Sequence, residues 1–205
     1  MSLLKKMSIK LEPGRKHRSG IFALIAMSLL VQACAPVVVG GAATGATVAN
    51  DKRTTGTFVE DEAIELKIKK AILSDKSLKE MTHINATSFN TNVLLTGEAA
   101  TEAARQKVVD IAKRTAKVSH VFNEISIAAP SALMSRSSDT LLTANVKSRL
   151  LADKSVDGTK IKVVTEAGVV YLMGIVSRQQ GNNAALVASR ASGVQKVVKL
   201  FEYTD

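Results

Sequence analysis

The chain repeats itself, and the repeat governs what it can fold into. Asp61-Glu62-Ala63-Ile64, leading to Leu73-Ser74-Asp75-Lys76-Ser77, returns 78 residues later as Asp139-Thr140-Leu141-Leu142, leading to Leu151-Ala152-Asp153-Lys154-Ser155. Asn92-Val93-Leu94-Leu95-Thr96-Gly97 returns after 77 residues as Val169-Val170-Tyr171-Leu172-Met173-Gly174. Ala112-Lys113-Arg114-Thr115-Ala116-Lys117-Val118 returns after 76 as Ala188-Ser189-Arg190-Ala191-Ser192-Gly193-Val194. An offset that drifts by one residue between segments is what a duplicated domain with small loop deletions leaves. A period this long means two domains, not a solenoid.

Each copy carries the same pattern of elements. In the first, Ile64, Ile68, Ala71 and Ile72 recur at helical spacing, which predicts a helix over 60–74. Residues 84–89 alternate as a strand, Asn90-Thr91-Asn92 is a turn triplet, and 93–96 return as the second strand of a hairpin, ended by Gly97. Ala103, Ala104, Val108, Ile111 and Ala112 make a stripe of small residues that lets a helix lie close to a sheet, and 121–127 alternate as a third strand. In the second copy Leu142, Val146 and Leu150 share a helix face. A hairpin of 160–165 and 169–173 turns at Glu166-Ala167-Gly168, Ala184, Ala185, Ala188 and Ala191 line the second helix, and 197–203 close the copy. The fold class is α+β: two tandem domains, each α-β-β-α-β, with a three-stranded mixed sheet covered on one face by two helices.

The first third reads as an address, not a fold. Lys5, Lys6, Lys10, Arg15, Lys16 and Arg18 form a basic n-region, and an apolar stretch follows over 21–31, the length of a signal-peptide core. No apolar run reaches the roughly 18 residues of a transmembrane helix. The stretch ends in Leu30-Val31-Gln32-Ala33-Cys34, and Cys34 is the sole cysteine. A lone cysteine is commonly a buried structural thiol, but this one, directly after an apolar core and a small residue, resembles the lipobox of bacterial lipoproteins. Val31 and Gln32 depart from its strict pattern. Diacylglycerol on Cys34 plus an acyl chain on the freed amine is a stable membrane anchor. Ala35 follows where Asp would retain a lipoprotein in the inner membrane, so the expected destination is the outer membrane, facing the periplasm. The net charge of +10 is half in residues 1–33, which hold six Lys/Arg and one Glu. The organisation expected is a signal peptide over 1–33, a lipidated Gly-rich tether over 34–57, domains over 58–128 and 139–205, and a linker over 129–138.

Little in the chain points to chemistry. His17 lies in the address, and His83 and His120 occur in copy one only, so the copies share no histidine constellation. No Cys/His spacing fits zinc or another metal site. The glycines of 40–45 lack the Lys-Ser/Thr and helix of a phosphate loop, and no strand–Ser–helix elbow is present. Asp75 and Asp153, matched between copies, sit beyond helix ends as turn formers. With 3% aromatics and no tight basic cluster, nothing suggests nucleic acid.

The element order, the strand–Gly motifs at Leu94-Leu95-Thr96-Gly97 and Leu172-Met173-Gly174, and the Ala-rich helices leading to Val118…Val121-Phe122-Asn123 and Gly193-Val194…Val197 resemble the BON domain. Two copies behind a lipobox are similar to the dual-BON outer-membrane lipoproteins. One departure is Lys117-Val118 where the family favours Gly-Val, which predicts a less tight helix-to-strand turn in copy one. The resemblance implies a non-catalytic module with no cofactor and no small-molecule substrate, one that binds phospholipid and supports envelope integrity. The residues themselves suggest which copy does so. Opposite the core stripe, the first helix of copy one presents Ala63, Leu66, Lys67, Lys70 and Leu73, and that of copy two Leu141, Ala144, Asn145, Ser148 and Leu151, flanked by Lys147, Arg149 and Lys154. An apolar tip ringed by cations suits an anionic headgroup layer, so these eight residues of copy two are the expected lipid-binding set. Packing of Leu141 or Leu151 against copy one is the competing reading. The alternative function is a periplasmic adaptor docking on an envelope protein through the open sheet face, or through Tyr171 and Phe201.

Overall fold

The computed structural model describes residues 53–129 and 133–205. The signal peptide, Cys34 and most of the tether lie outside the described residues. Copy one runs α1 (Thr55–Ser74), α2 (Lys76–Met81), β1 (Thr82–Phe89), β2 (Asn92–Ala99), α3 (Glu102–Arg114) and β3 (His120–Ile127). Copy two runs α4 (Leu133–Ala152), a 3-10 turn (Gly158–Lys160), β4 (Ile161–Glu166), β5 (Val169–Val176), α5 (Arg178–Ser189) and β6 (Lys196–Tyr203). In each sheet the middle strand pairs antiparallel with the strand before it and parallel with the strand after it. The sheets are mixed, as expected.

Strand alternation explains how each sheet uses both faces. On one face Val93 and Leu95 meet Ile64, Ile68 and Ile72 of α1 and Val108 and Ala112 of α3. In copy two Val170 and Leu172 meet Val146 and Leu150 of α4 and Ala184 and Ala188 of α5. The small residues of α3 and α5 keep those helices close to their sheets. Thr54, Thr101 and Ser177 cap α1, α3 and α5 by accepting from the amides of Thr57, Ala104 and Gln180.

The opposite faces close on each other. Phe89 and Leu94 of copy one pack with Tyr171 and Met173 of copy two, and Phe122, Val164, Val169, Ile175, Val198 and Leu200 surround them. The layers run helices, sheet, sheet, helices, as in a sandwich of two sheets. Polar pairs rim the seam. Lys162 Nζ donates to Glu65 Oε1 and to the Ser88 carbonyl, both at 3.0 Å. Asn90 and Asn92 donate to Glu202 at 2.9 and 2.7 Å, and Asn85 donates to Glu166 at 3.0 Å. The Tyr171 hydroxyl donates to Glu124 at 3.4 Å. Burial first, then the Glu124 charge, push the Tyr171 phenol up to about 12.

Several local expectations are corrected. Gly97 does not end its strand: β2 continues to Ala99. Gly97 has φ +107, and a Cβ there would run into the His83 carbonyl on β1, so glycine marks a close approach of two backbones. The turn at Lys117 is as tight as its counterpart. Lys117 takes φ 77 where Gly193 takes φ 93, and matching bonds close both turns, Val118 N to Thr115 O and Val194 N to Ala191 O. The family's glycine is replaced by a strained lysine, not by a looser loop. The helix of copy two begins at Leu133, inside the segment read as linker. A short helix, α2, follows α1, nucleated by Asp75, whose carboxylate accepts from the amides of Ser77 and Leu78. Asp153 likewise accepts from the Ser155 amide at 2.8 Å, so both are local turn formers.

Candidate membrane-facing site

The site grows from the amphipathicity of α4. Leu142, Val146 and Leu150 are buried in the core of copy two, which turns the intervening residues outward. All eight residues expected there, Leu141, Ala144, Asn145, Lys147, Ser148, Arg149, Leu151 and Lys154, are exposed. Leu141 is 73% and Leu151 63% accessible, so neither packs against copy one. The Arg149 guanidinium is steadied by a 2.8 Å bond from Nε to Asn145 Oδ1 one turn earlier.

Reading α4 alone missed the contribution of α5. Arg149, Ala152, Asp153, Val187 and Arg190 line one shallow groove of about 260 Å³, and Leu186 beside Val187 is half exposed. The outward face therefore spans both helices and gains Arg190, the carboxylate of Asp153 beside it, and two apolar residues. The stretch 185–187 was legible only as part of an Ala-rich core stripe. Charge separates this face from its counterpart. The α4 segment from Thr140 to Ala152 contains Lys147 and Arg149 and no acidic residue. On α1, Leu66 and Leu73 are also exposed, but Leu66 shares a hollow with two carboxylates, Glu62 and Glu65, against one, Asp139, in the cavity beside Leu141.

The surfaces named for protein docking fall elsewhere. Tyr171 is buried in the seam between the sheets. Phe201 packs on the helix side, against the core of copy two, where its ring stops any side chain at Gly181. The free sheet face expected for an adaptor is consumed by the other copy.

A second constellation went unremarked in the sequence, although both its acids lay in matched segments. Asp61 is buried at the start of the α1 stripe and binds the hairpin turn of its own copy. It accepts from the amides of Thr91 and Asn90 at 2.8 Å, from Ser88 Oγ at 2.7 Å, and from Arg53 at 2.8 Å. Arg53 in turn lies 4.1 Å over the Phe89 ring. Burial alone would raise the Asp61 carboxyl, but the donors, led by Ser88 and Thr91 and including Arg53, outweigh it and hold it below the usual range. Asp139 performs the same service in copy two, accepting from the amides of Ala167 and Gly168 at 2.8 and 2.9 Å. Both turns have two consecutive residues of positive φ, Asn90 and Thr91 in one, Ala167 and Gly168 in the other, the type I′ geometry of tight hairpins.

No group of three or more His, Cys, Asp or Glu among the described residues is arranged to hold a metal ion. His120 is an exposed ring stacked edge-on against Phe122 at 4.5 Å.

Comparison with known proteins agrees with the duplicated architecture. The BON domain family matches twice, over residues 60–129 and 138–205. The chain is 38% identical to the outer membrane lipoprotein DolP of Haemophilus influenzae over 89% of this chain and 94% of that one. It is 37% identical to a 21 kDa hemolysin of Actinobacillus pleuropneumoniae, covering 76% and 80% of the two chains. It is 31% identical to the osmotically inducible protein Y of Escherichia coli, covering 75% and 77%. The protein is placed in the outer membrane by the first of these likenesses. Two family matches over two structurally equivalent units, in a chain 38% identical to such a protein over 89% of its length, make it a member of the BON domain family.

Proposed function

We propose that the protein is a non-catalytic lipoprotein, attached to the outer membrane through acylated Cys34, whose second domain binds anionic phospholipid through α4 and so supports the integrity of that membrane. The observation that carries this reading is the outward face of α4. Leu141, midway along the helix, and Leu151, near its end, project into solvent, Lys147 and Arg149 lie between them, Lys154 follows the helix, and no carboxylate occurs from Thr140 to Ala152. The leucines enter the acyl boundary while each cation adds on the order of 1 kcal/mol at an anionic surface.

The test is co-sedimentation of the mature chain, with Cys34 replaced by Ser to remove the anchor, with vesicles of phosphatidylcholine alone or with phosphatidylglycerol. Binding to the anionic vesicles that weakens with added salt is expected. Equal sedimentation with both, or none with either, would leave Cys34 as the sole membrane contact.

A further inference from the structure

The outward face of α1 carries a pattern that α4 lacks. Val59, Leu66 and Leu73 are each more than half exposed and recur every seven residues. At about 100° per residue they lie within about 40° of one another, on the side away from Ile64, Ile68 and Ile72 in the core. Beside Leu66 is a hollow of about 280 Å³ bordered by Glu62, Glu65, Leu66 and Lys69, with Ile72 and Ile84 also lining it. The first four stand at i, i+3, i+4 and i+7, the spacing of a hole that receives one apolar knob from a facing helix. Glu62 and Lys69 are exposed and fall on the same flank of the stripe. Neither side chain forms a hydrogen bond or an ion pair with a described residue. In α4, 78 residues on, Ser137 and Ala144 replace Val59 and Leu66, and Thr140 replaces Glu62. The stripe belongs to copy one and is not imposed by the fold.

We propose that this face of α1 is a self-association surface, on which a second copy of this chain lays its own α1 antiparallel. A two-fold axis beside Leu66 sets residues equally far before and after it against each other. Val59, seven residues before, then meets Leu73 of the second copy, seven after. Each Leu66 is the knob for the hole of the other copy, an isologous contact in which a residue meets its own equivalent. Glu62 comes level with Lys69 of the second copy to within about 1.5 Å along the helix, on the same flank, twice per dimer. The face is therefore complementary to itself in charge as well as in apolarity, whereas an anionic lipid surface gains nothing from Glu62. One helix pair buries less than the roughly 1,200 Å² of a stable complex. The association is accordingly weak between free molecules and is strengthened where copies share one membrane. It does not rest on the lipid reading, which uses α4.

The experiment is sedimentation equilibrium of the mature Cys34→Ser chain at concentrations up to about 1 mM, the range in which weak contacts populate. A monomer–dimer equilibrium is expected. Leu66→Glu should abolish the dimer without altering the circular dichroism spectrum. Glu62→Lys or Lys69→Glu alone should weaken it roughly tenfold by setting like charges together. The double exchange should restore it, because each pair re-forms with its signs reversed. Leu141→Glu, on the lipid face, should leave it unchanged. Leu66→Cys, which then carries the sole thiol, should form a disulfide-linked dimer on oxidation with diamide, and Ala71→Cys, exposed away from the stripe, should not. A chain that stays monomeric throughout and cross-links no better at Leu66 than at Ala71 overturns the proposal, as does a double exchange that restores nothing. A dimer that survives Leu66→Glu, or is broken by Leu141→Glu, lies on another surface and overturns it equally. Weaker sedimentation of Leu66→Glu with phosphatidylglycerol vesicles, in a chain that never dimerises, would give the stripe to the membrane instead.

Discussion

The unequal surroundings of Asp61 and Asp139 predict unequal costs for the same substitution. Asp61→Asn removes the charge opposite Arg53, whose side chain is 8% exposed, and replaces acceptor oxygen with an amide that faces a turn N–H. Removing one member of a buried ion pair costs about 3–5 kcal/mol. Asp139→Asn disturbs two turn amides but strands no cation, and the loss of hydrogen bonds to a charged group costs about 1.5–3 kcal/mol. Urea unfolding at pH 7, followed by far-ultraviolet circular dichroism because the chain has no Trp, gives both values. With a slope of about 2 kcal/mol/M, the two variants should differ by about 0.5–1 M in midpoint. The effect has a definite pH dependence. The folded Asp61 carboxyl lies below its ordinary value, so its contribution is complete above about pH 4 and is lost as the pH falls through the folded pKa. The gap between wild type and Asp61→Asn should therefore narrow toward acid. Removing Arg53 as well should recover part of the loss, since the double variant removes both members of the pair. Equal costs for Asp61→Asn and Asp139→Asn, or a gap that widens on acidification, would refute the role given to Arg53.

Lys117→Gly relieves a left-handed residue whose ion pair with Glu60 is exposed. It should stabilise by about 1 kcal/mol and raise Tm by roughly 3 °C, and an unchanged or lowered Tm in calorimetry would count against strain there. Gly97→Ala meets both a positive φ and the His83 carbonyl, so a loss of about 2–4 kcal/mol is expected in urea unfolding; a neutral result would mean that β1 and β2 separate easily at that point. Leu141→Glu should weaken sedimentation with anionic vesicles while the circular dichroism spectrum and midpoint stay as in wild type, and unchanged sedimentation would remove Leu141 from the lipid face. Leu94→Ala hollows the seam between the sheets at a cost of about 2–5 kcal/mol and should split one unfolding transition into two; a single transition of unaltered midpoint would show that the seam contributes nothing.

The element order and both cores were legible because they rest on periodicity. Ile64, Ile68 and Ile72 announce a helix, and Val93 and Leu95 a strand, whatever surrounds them. The outward residues of α4 were legible by subtraction from Leu142, Val146 and Leu150. The partnership of the two sheets was not. Leu94, Tyr171 and Met173 sit in apolar runs that bury both strand faces, and such runs say that something covers the second face without saying what. The share of α5 in the outward face was hidden for a related reason: Leu186 and Val187 look like core residues in an Ala-rich stripe until the helix is docked. Asp61 was legible only as a repeated letter. That it anchors a turn nearly thirty residues away is a long-range fact, and its replication at Asp139 was the available signal.

The seam also says why the module comes in tandem. One copy cut free would present Phe89, Leu94 and Phe122, or Tyr171, Met173 and Leu200, as an open apolar plate of the kind that seeks another protein. Joined in one chain, the two plates meet at an effective concentration that is high and independent of how many molecules the membrane holds. Closure is thus a property of each molecule, achieved before it meets any neighbour, and crowding on a two-dimensional surface gives the plates no occasion to find the wrong mate.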